Sequence, residues 1–363
     1  MLQSVRFPSS LIPLALACLL LGTTVARAEE FPPDAVFKQI AANRDAYGRV
    51  VFIFGDSVVM LCSLTEVDFS AIKENANDQA YMVSAMADLM RDQEKPKGKG
   101  SDPLWPMHSL ASSMNFQFAA AGLLDTPDGG DTVPAARLVA TYAGALGQPF
   151  PKDVEVQAAH LAALAKDGVI RDGDVVILED AGFHGQNPDA YEANWLVLGR
   201  AVLENVAATV VMCDMFDAIP DGSIMGVPAE AFRFEALFPS KVPEGKRSHN
   251  QALRAAAAKL AALPDSKGKL VLLDLRSRMN AFKAALAAEL GGEAIMPEGI
   301  HPSPWGVAFM SREYLRVTGI APQLTNPTPY VDMLAVSADR LSQPKRPADA
   351  DKARPFIEAW IVP

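Results

Sequence analysis

Runs of apolar residues alternate with stretches of helical spacing along most of this chain. Val50-Val51-Phe52-Ile53-Phe54 is continuous, apolar and rich in β-branched and aromatic side chains, which predicts a strand buried on both faces. Residues 174–178, 208–213 and 270–275 repeat the pattern, and 115–119 predict a weaker fifth strand. Between them, residues 154–166 and 191–206 carry apolar side chains at three- and four-residue spacing. Ser248 and Gln251 have the spacing of a capping box and open an Ala-rich helix to about residue 262. Ser303 followed by Pro304 reads as the N-cap and first position of a helix to about residue 316. Strands alternating with helices predict an α/β fold: a parallel sheet covered on both faces, in a single doubly wound domain. Residues 93–107 read as a flexible basic insertion, and residues 321–363, rich in Pro, Asp and Lys, as an irregular tail lying over the surface. The chain has no internal repeat.

The start of the chain has a different pattern. Residues 1–28 read as an export signal: Arg6, then a twelve-residue apolar run from Leu11 to Gly22, then Ala26-Arg27-Ala28 as a cleavage pattern. The run is too short to span a bilayer comfortably, so cleavage is favoured over a retained anchor. The domain is then expected over residues 29–320, in the periplasm or outside the cell, with no stable membrane insertion after cleavage. Loss of Arg6 and Arg27 would take the net charge from −10 to −12.

Composition narrows the function. Half of the residues are apolar and 21% are charged, enough to bury a large core. The acidic balance argues against nucleic acid as a partner, since phosphate needs a basic face. Three cysteines are too few for a disulfide framework, and the two beyond the leader, Cys62 and Cys213, lie in apolar contexts that suit buried thiols. There is no His-Glu-x-x-His, no cysteine pair at metal spacing and no phosphate-binding glycine loop, so neither metal nor cofactor is expected. Asp172 and Asp174 bracket Gly173 as a polar turn.

In an open parallel sheet, ligands bind beyond the carboxyl ends of the strands. The first strand runs directly into Gly55-Asp56-Ser57, where a sharp turn would present Ser57 as a nucleophile. By itself the tripeptide also suits an ordinary strand-to-helix turn with Ser57 as N-cap. Of five histidines, His160 and His249 fall within helices and His108 in a loop. His184 follows a strand toward the same edge. His301 precedes Pro302 and a well-capped helix, in a rigid loop after the last strand, and is the strongest candidate base. Glu298, three residues earlier, is placed to orient an imidazole and stabilise its protonated form.

Gly55-Asp56-Ser57 after the first strand, with His301-Pro302 near the end, resembles the GDSL or SGNH hydrolase family over roughly residues 48–318. The resemblance implies a flavodoxin-like three-layer α/β/α fold with a mainly parallel five-stranded sheet. It implies an esterase in which Ser57 is nucleophile, His301 base and Glu298 the orienting acid. The stretch 115–122 is similar to the family's second block, so Gly122 would lend its backbone N–H to the oxyanion hole beside that of Ser57. Asp274, at the end of the last strand, is read as structural. Two positions depart from the pattern. The family has Asp where this chain has Glu298. Its third block carries Gly-x-Asn-Asp, whose asparagine donates to the oxyanion, whereas here the strand enters Glu179-Asp180-Ala181-Gly182-Phe183-His184. Loss of one such donor costs about 10²–10³ in rate, so His184 is the candidate replacement. The expected substrate is a small-molecule or glycan ester. The alternatives are acyl transfer to, or deacetylation of, a cell-surface polysaccharide, and a non-catalytic glycan-binding protein on a decayed hydrolase fold.

Overall fold

The computed structural model describes residues 35–55, 59, 109–124, 136–145, 151–179, 187–214, 223–224, 227–228, 247–290, 302–320, 322–324, 327–328, 331, 334 and 350–363. The expected leader, residues 1–28, and the expected basic insertion, 93–107, lie outside them.

Five strands form the central sheet: β1 (Tyr47–Gly55), β2 (Ala136–Ala145), β3 (Val175–Leu178), β4 (Thr209–Cys213) and β5 (Lys269–Leu273). Their order is β2-β1-β3-β4-β5 and every pairing among them is parallel. This is the flavodoxin-like order of doubly wound sheets, in agreement with the fold expected. Val50 to Phe54, Val175 to Leu178 and Val210 to Met212 are each at most 1% exposed, which explains why the central strands read as unbroken apolar runs. The helices are α1 (Ala35–Ala42), α2 (Leu110–Ala120), α3 (Pro151–Lys166), α4 (Pro188–Leu203), α5 (His249–Ala261), α6 (Leu275–Leu290), α7 (Pro304–Val317) and α8 (Ala350–Trp360). Helix α4 packs between α3 and α5, while α7 packs against α2 and α6. The predicted starts hold: Ser248 and Gln251 form a reciprocal capping box, and the Ser303 hydroxyl accepts from Gly306 N–H with Pro304 at the first helical position.

Two expectations are corrected. Residues 115–119 are not a strand but part of α2, capped by Ser109, whose hydroxyl accepts from Ser112 N–H. The alternation of Phe116 and Phe118 with polar neighbours suggested period two. Over the longer window the buried positions are Leu110, Ala111, Ser113, Met114, Gln117 and Phe118, which is helical spacing. The fifth strand is instead β2, whose alanines at 136, 140, 143 and 145 dilute its β-branched signal. The segment 321–363 is not wholly irregular. Helix α8 enters the core, with Phe356 1% exposed between Trp305 and Phe282 at ring distances of 5.7 and 5.6 Å.

At the amino edge of the sheet, Asp174 is read in sequence as part of a polar turn and does close one, accepting from the Arg171 N–H at 2.7 Å. It also accepts from the Val50 N–H at 2.9 Å and pairs with the buried guanidinium of Arg44.

Candidate active site

A sheet of order 2-1-3-4-5 reverses direction between β1 and β3, and the crevice beyond their carboxyl ends is where such folds bind ligands. β1 ends there with Gly55. β3 pairs with it up to Phe54 and Leu178, and the Glu179 N–H continues the ladder to Phe54 C=O at 2.8 Å. The next rung therefore sets Gly55, Glu179, Cys213 and Leu273 side by side, since Leu178 is opposite Met212 and Cys213 is opposite Leu273. Register partners in a parallel sheet point to the same face.

Gly55 is required by that crowding. A Cβ there would lie 2.5 Å from the Val59 Cγ2 methyl, 2.8 Å from the Glu179 carbonyl oxygen and 3.1 Å from Glu179 Oε2. Two tyrosines brace the same edge. The Tyr142 hydroxyl donates to Gly55 C=O at 3.1 Å. The Tyr314 hydroxyl, from α7, donates to Cys213 Sγ at 2.9 Å. Burial pushes the Tyr314 phenol well above its ordinary range, and Cys213, Glu179 and Asp214 push in the same direction, so it stays a protonated donor.

Beyond Cys213, Asp214 is buried and accepts from the Arg276 N–H at 3.0 Å and from Arg254 at 2.7 Å. Burial raises the pKa of Asp214, and the neighbouring Asp274 carboxylate adds to the rise. Asp274 is half exposed. Its own burial pushes it up, but hydrogen bonds from Ser277 and Asp214 and the charge of Arg254 bring it below its ordinary value. One guanidinium thus serves two acids at the ends of β4 and β5, in keeping with the structural role expected of Asp274.

Ser57, His184, Glu298 and His301 lie outside the described residues, so the meeting of Ser57 with His301 lies outside them too. Their chain neighbours are described. Gly55 and Val59 flank Ser57 and approach one another closely. Glu179 and Asn187 flank His184, and Asn187 caps α4 by accepting from the Asp189 and Ala190 N–H groups. Leu290 and Pro302 flank Glu298 and His301.

Gly122 is described, and the structure places it elsewhere. It follows the C-terminus of α2 at φ +67°, and its N–H donates to Ala119 C=O at 2.9 Å. The next residue, Leu123, accepts from the Arg137 N–H at the start of β2. Gly122 is therefore a helix C-cap glycine at the amino edge, about 25 Å of strand away from Gly55. Its expected place in the oxyanion hole fails because 115–122 is a helix and its cap, not a strand and its exit.

Glu179 and Tyr314 are the residues of this edge that sequence reasoning did not assign to the site. Glu179 carried a signal, as an acid directly after a fully apolar strand. Tyr314 carried none, because a tyrosine within an amphipathic helix reads as ordinary core.

Among the described residues no group of three or more His, Cys, Asp or Glu is placed to hold a metal ion, and no helix is long and apolar enough to cross a membrane. No family model, curated protein or solved structure matches the chain.

Proposed function

We propose that this chain is an exported serine esterase that cleaves small-molecule or glycan esters with Ser57 as nucleophile. The observation that carries the reading is the position of Gly55: it ends β1 at the point where the strand order reverses, two residues before Ser57. In the proposed reaction the Ser57 Oγ attacks the acyl carbonyl while His301 takes its proton. Glu298 orients the imidazole. The proton passes to the leaving alcohol, and water, activated by the same histidine, releases the acid and frees Ser57. The Ser57 N–H and His184 are the proposed oxyanion donors. No cofactor is required.

The test is hydrolysis of a short-chain aryl ester by the protein lacking residues 1–28, beside its Ser57→Ala variant. Activity that falls at least 10³-fold in the variant supports the reading, since loss of the nucleophile in a serine hydrolase costs up to about 10⁶. A folded protein with no activity, or one whose activity survives Ser57→Ala, overturns it. A serine-directed aryl phosphonate should add one label, on Ser57, found by mass spectrometry.

A further inference from the structure

One buried acid on α7 is met by more positive charge than it can neutralise. The Oε2 atom of Glu313 lies 2.8 Å from Arg278 Nη1 and 3.1 Å from both Nε and Nη2 of Arg316. Arg312 stands beside them, with its Nη1 4.0 Å from Glu313 Oε1 and donating to Trp360 C=O at 2.6 Å. Three guanidiniums thus surround one carboxylate, an excess of two positive charges in a chain whose net charge is −10. Among the described residues no other acid pairs with them. A buried carboxylate needs a partner, but one arginine would serve. Like charges gathered at one point repel, and an anion relieves that repulsion. The side chains of Arg278, Arg312 and Arg316 are 41%, 25% and 44% exposed. A guanidinium carries five N–H donors, so those not spent on Glu313 and Trp360 are left to face solvent.

The cluster has a definite place. Arg278 is in the first turn of α6, which opens directly after β5. Tyr314, next to Glu313, reaches Cys213 at the end of β4. The three arginines therefore stand beside the carboxyl edge of the sheet, on the side of β4 and β5. We propose that Arg278, Arg312 and Arg316 form a binding site for an oxyanion group of a ligand, a carboxylate or a phosphate. The planar fork of arginine matches both groups with paired hydrogen bonds. Glu313 holds Arg278 and Arg316 in place from beneath, and the ligand takes the donors on the solvent side.

The experiment is isothermal titration calorimetry of the full chain with inorganic pyrophosphate as the phosphate probe and trigalacturonate as the carboxylate probe. The parent is compared with Arg278→Gln, Arg316→Gln and, as a control, Arg200→Gln, which loses an exposed pair with Glu204 on α4. Each of the first two variants leaves the other arginine on Glu313, so the acid stays paired, and if one fails to fold the other carries the test. No turnover is needed, so the result does not depend on ester hydrolysis. The parent is expected to bind at least one probe at a single site, and the probe that binds assigns the group. Arg278→Gln and Arg316→Gln should each weaken binding about 10-fold, the loss expected for a hydrogen bond to a charged group, while Arg200→Gln stays within about twofold. Affinity should fall as sodium chloride rises from about 20 to about 300 mM. Failure of the parent to bind either probe at low salt overturns the inference. So does parent-like affinity in both Arg278→Gln and Arg316→Gln, or an equal loss in Arg200→Gln, which would mark diffuse attraction rather than a site.

Discussion

The side-chain amide of Asn115 hydrogen-bonds both backbone groups of Ala140. Its Nδ2 donates to Ala140 C=O at 2.8 Å, and its Oδ1 accepts the Ala140 N–H at 2.7 Å. Ala140 lies in β2, the edge strand of the sheet, so one side chain from α2 does there what a sixth strand would do. Open strand edges invite pairing with other chains. Asn115→Ala removes both bonds, and the loss is expected to be about 1–3 kcal/mol in urea unfolding. Unchanged stability would mean that water replaces the amide without cost.

Gly55→Ala tests the crowding at the end of β1. The new methyl group would meet the Val59 side chain and the Glu179 carbonyl oxygen, and the latter belongs to backbone that cannot turn aside. Overpacking of this kind costs about 1–3 kcal/mol. The variant should unfold at lower urea and, on the proposed esterase reading, lose ester hydrolysis more steeply than stability. A variant as stable as the parent would show that the β1 exit relaxes freely.

Arg44 is the partner of the buried Asp174, with one guanidinium nitrogen 2.8 and 2.6 Å from the two carboxylate oxygens. Burial raises the Asp174 pKa above its ordinary value, against hydrogen bonds from Val50, Arg171 and Arg44 and the charge of Arg44. An acid whose folded pKa is raised favours folding at low pH, and this contribution is lost as pH rises through the folded value. Arg44→Ala strands the carboxylate and should cost about 3–5 kcal/mol at neutral pH. The deficit should shrink below pH 4, where Asp174 is protonated in both proteins. A pH-independent deficit would assign the effect to lost packing.

Glu192 has the opposite sign. The Lys259 ammonium at 2.6 Å lowers its pKa most, burial opposes, and Arg247 adds to the lowering. An acid with a depressed folded pKa stabilises above its unfolded value, about 4.3, and the contribution disappears as pH falls through the folded one. Thermal unfolding should therefore show Glu192→Gln less stable than the parent at pH 7 and the gap closing toward pH 3. A gap that widens in acid would contradict this.

The central strands were legible because burial on both faces leaves an unbroken apolar signal at Val50–Phe54 and Val175–Leu178. Capped helices were legible because Ser248 and Ser303 act through local bonds alone. The edge was not. β2 has one sheet neighbour and draws further bonds from Asn115 and Leu123, a long-range arrangement with no trace in either segment. In the candidate site, Gly55 could be read from its place after the first strand. The meeting of Glu179, Cys213 and Tyr314 could not, because it exists only once three distant segments come together.

The aromatic contacts of α8 bear on the order of assembly. Phe356 and Trp360 complete a cluster with Trp305, Phe282 and Phe309, and Phe282 and Phe309 stack at 4.3 Å. A ribosome makes these last two partners well before it makes α8. Until then α6 and α7 hold up a sticky aromatic face, the kind of surface that chaperones retain and aggregates capture. On the proposed reading as an exported protein, the chain would gain from crossing its membrane unfolded and closing the cluster only on the far side.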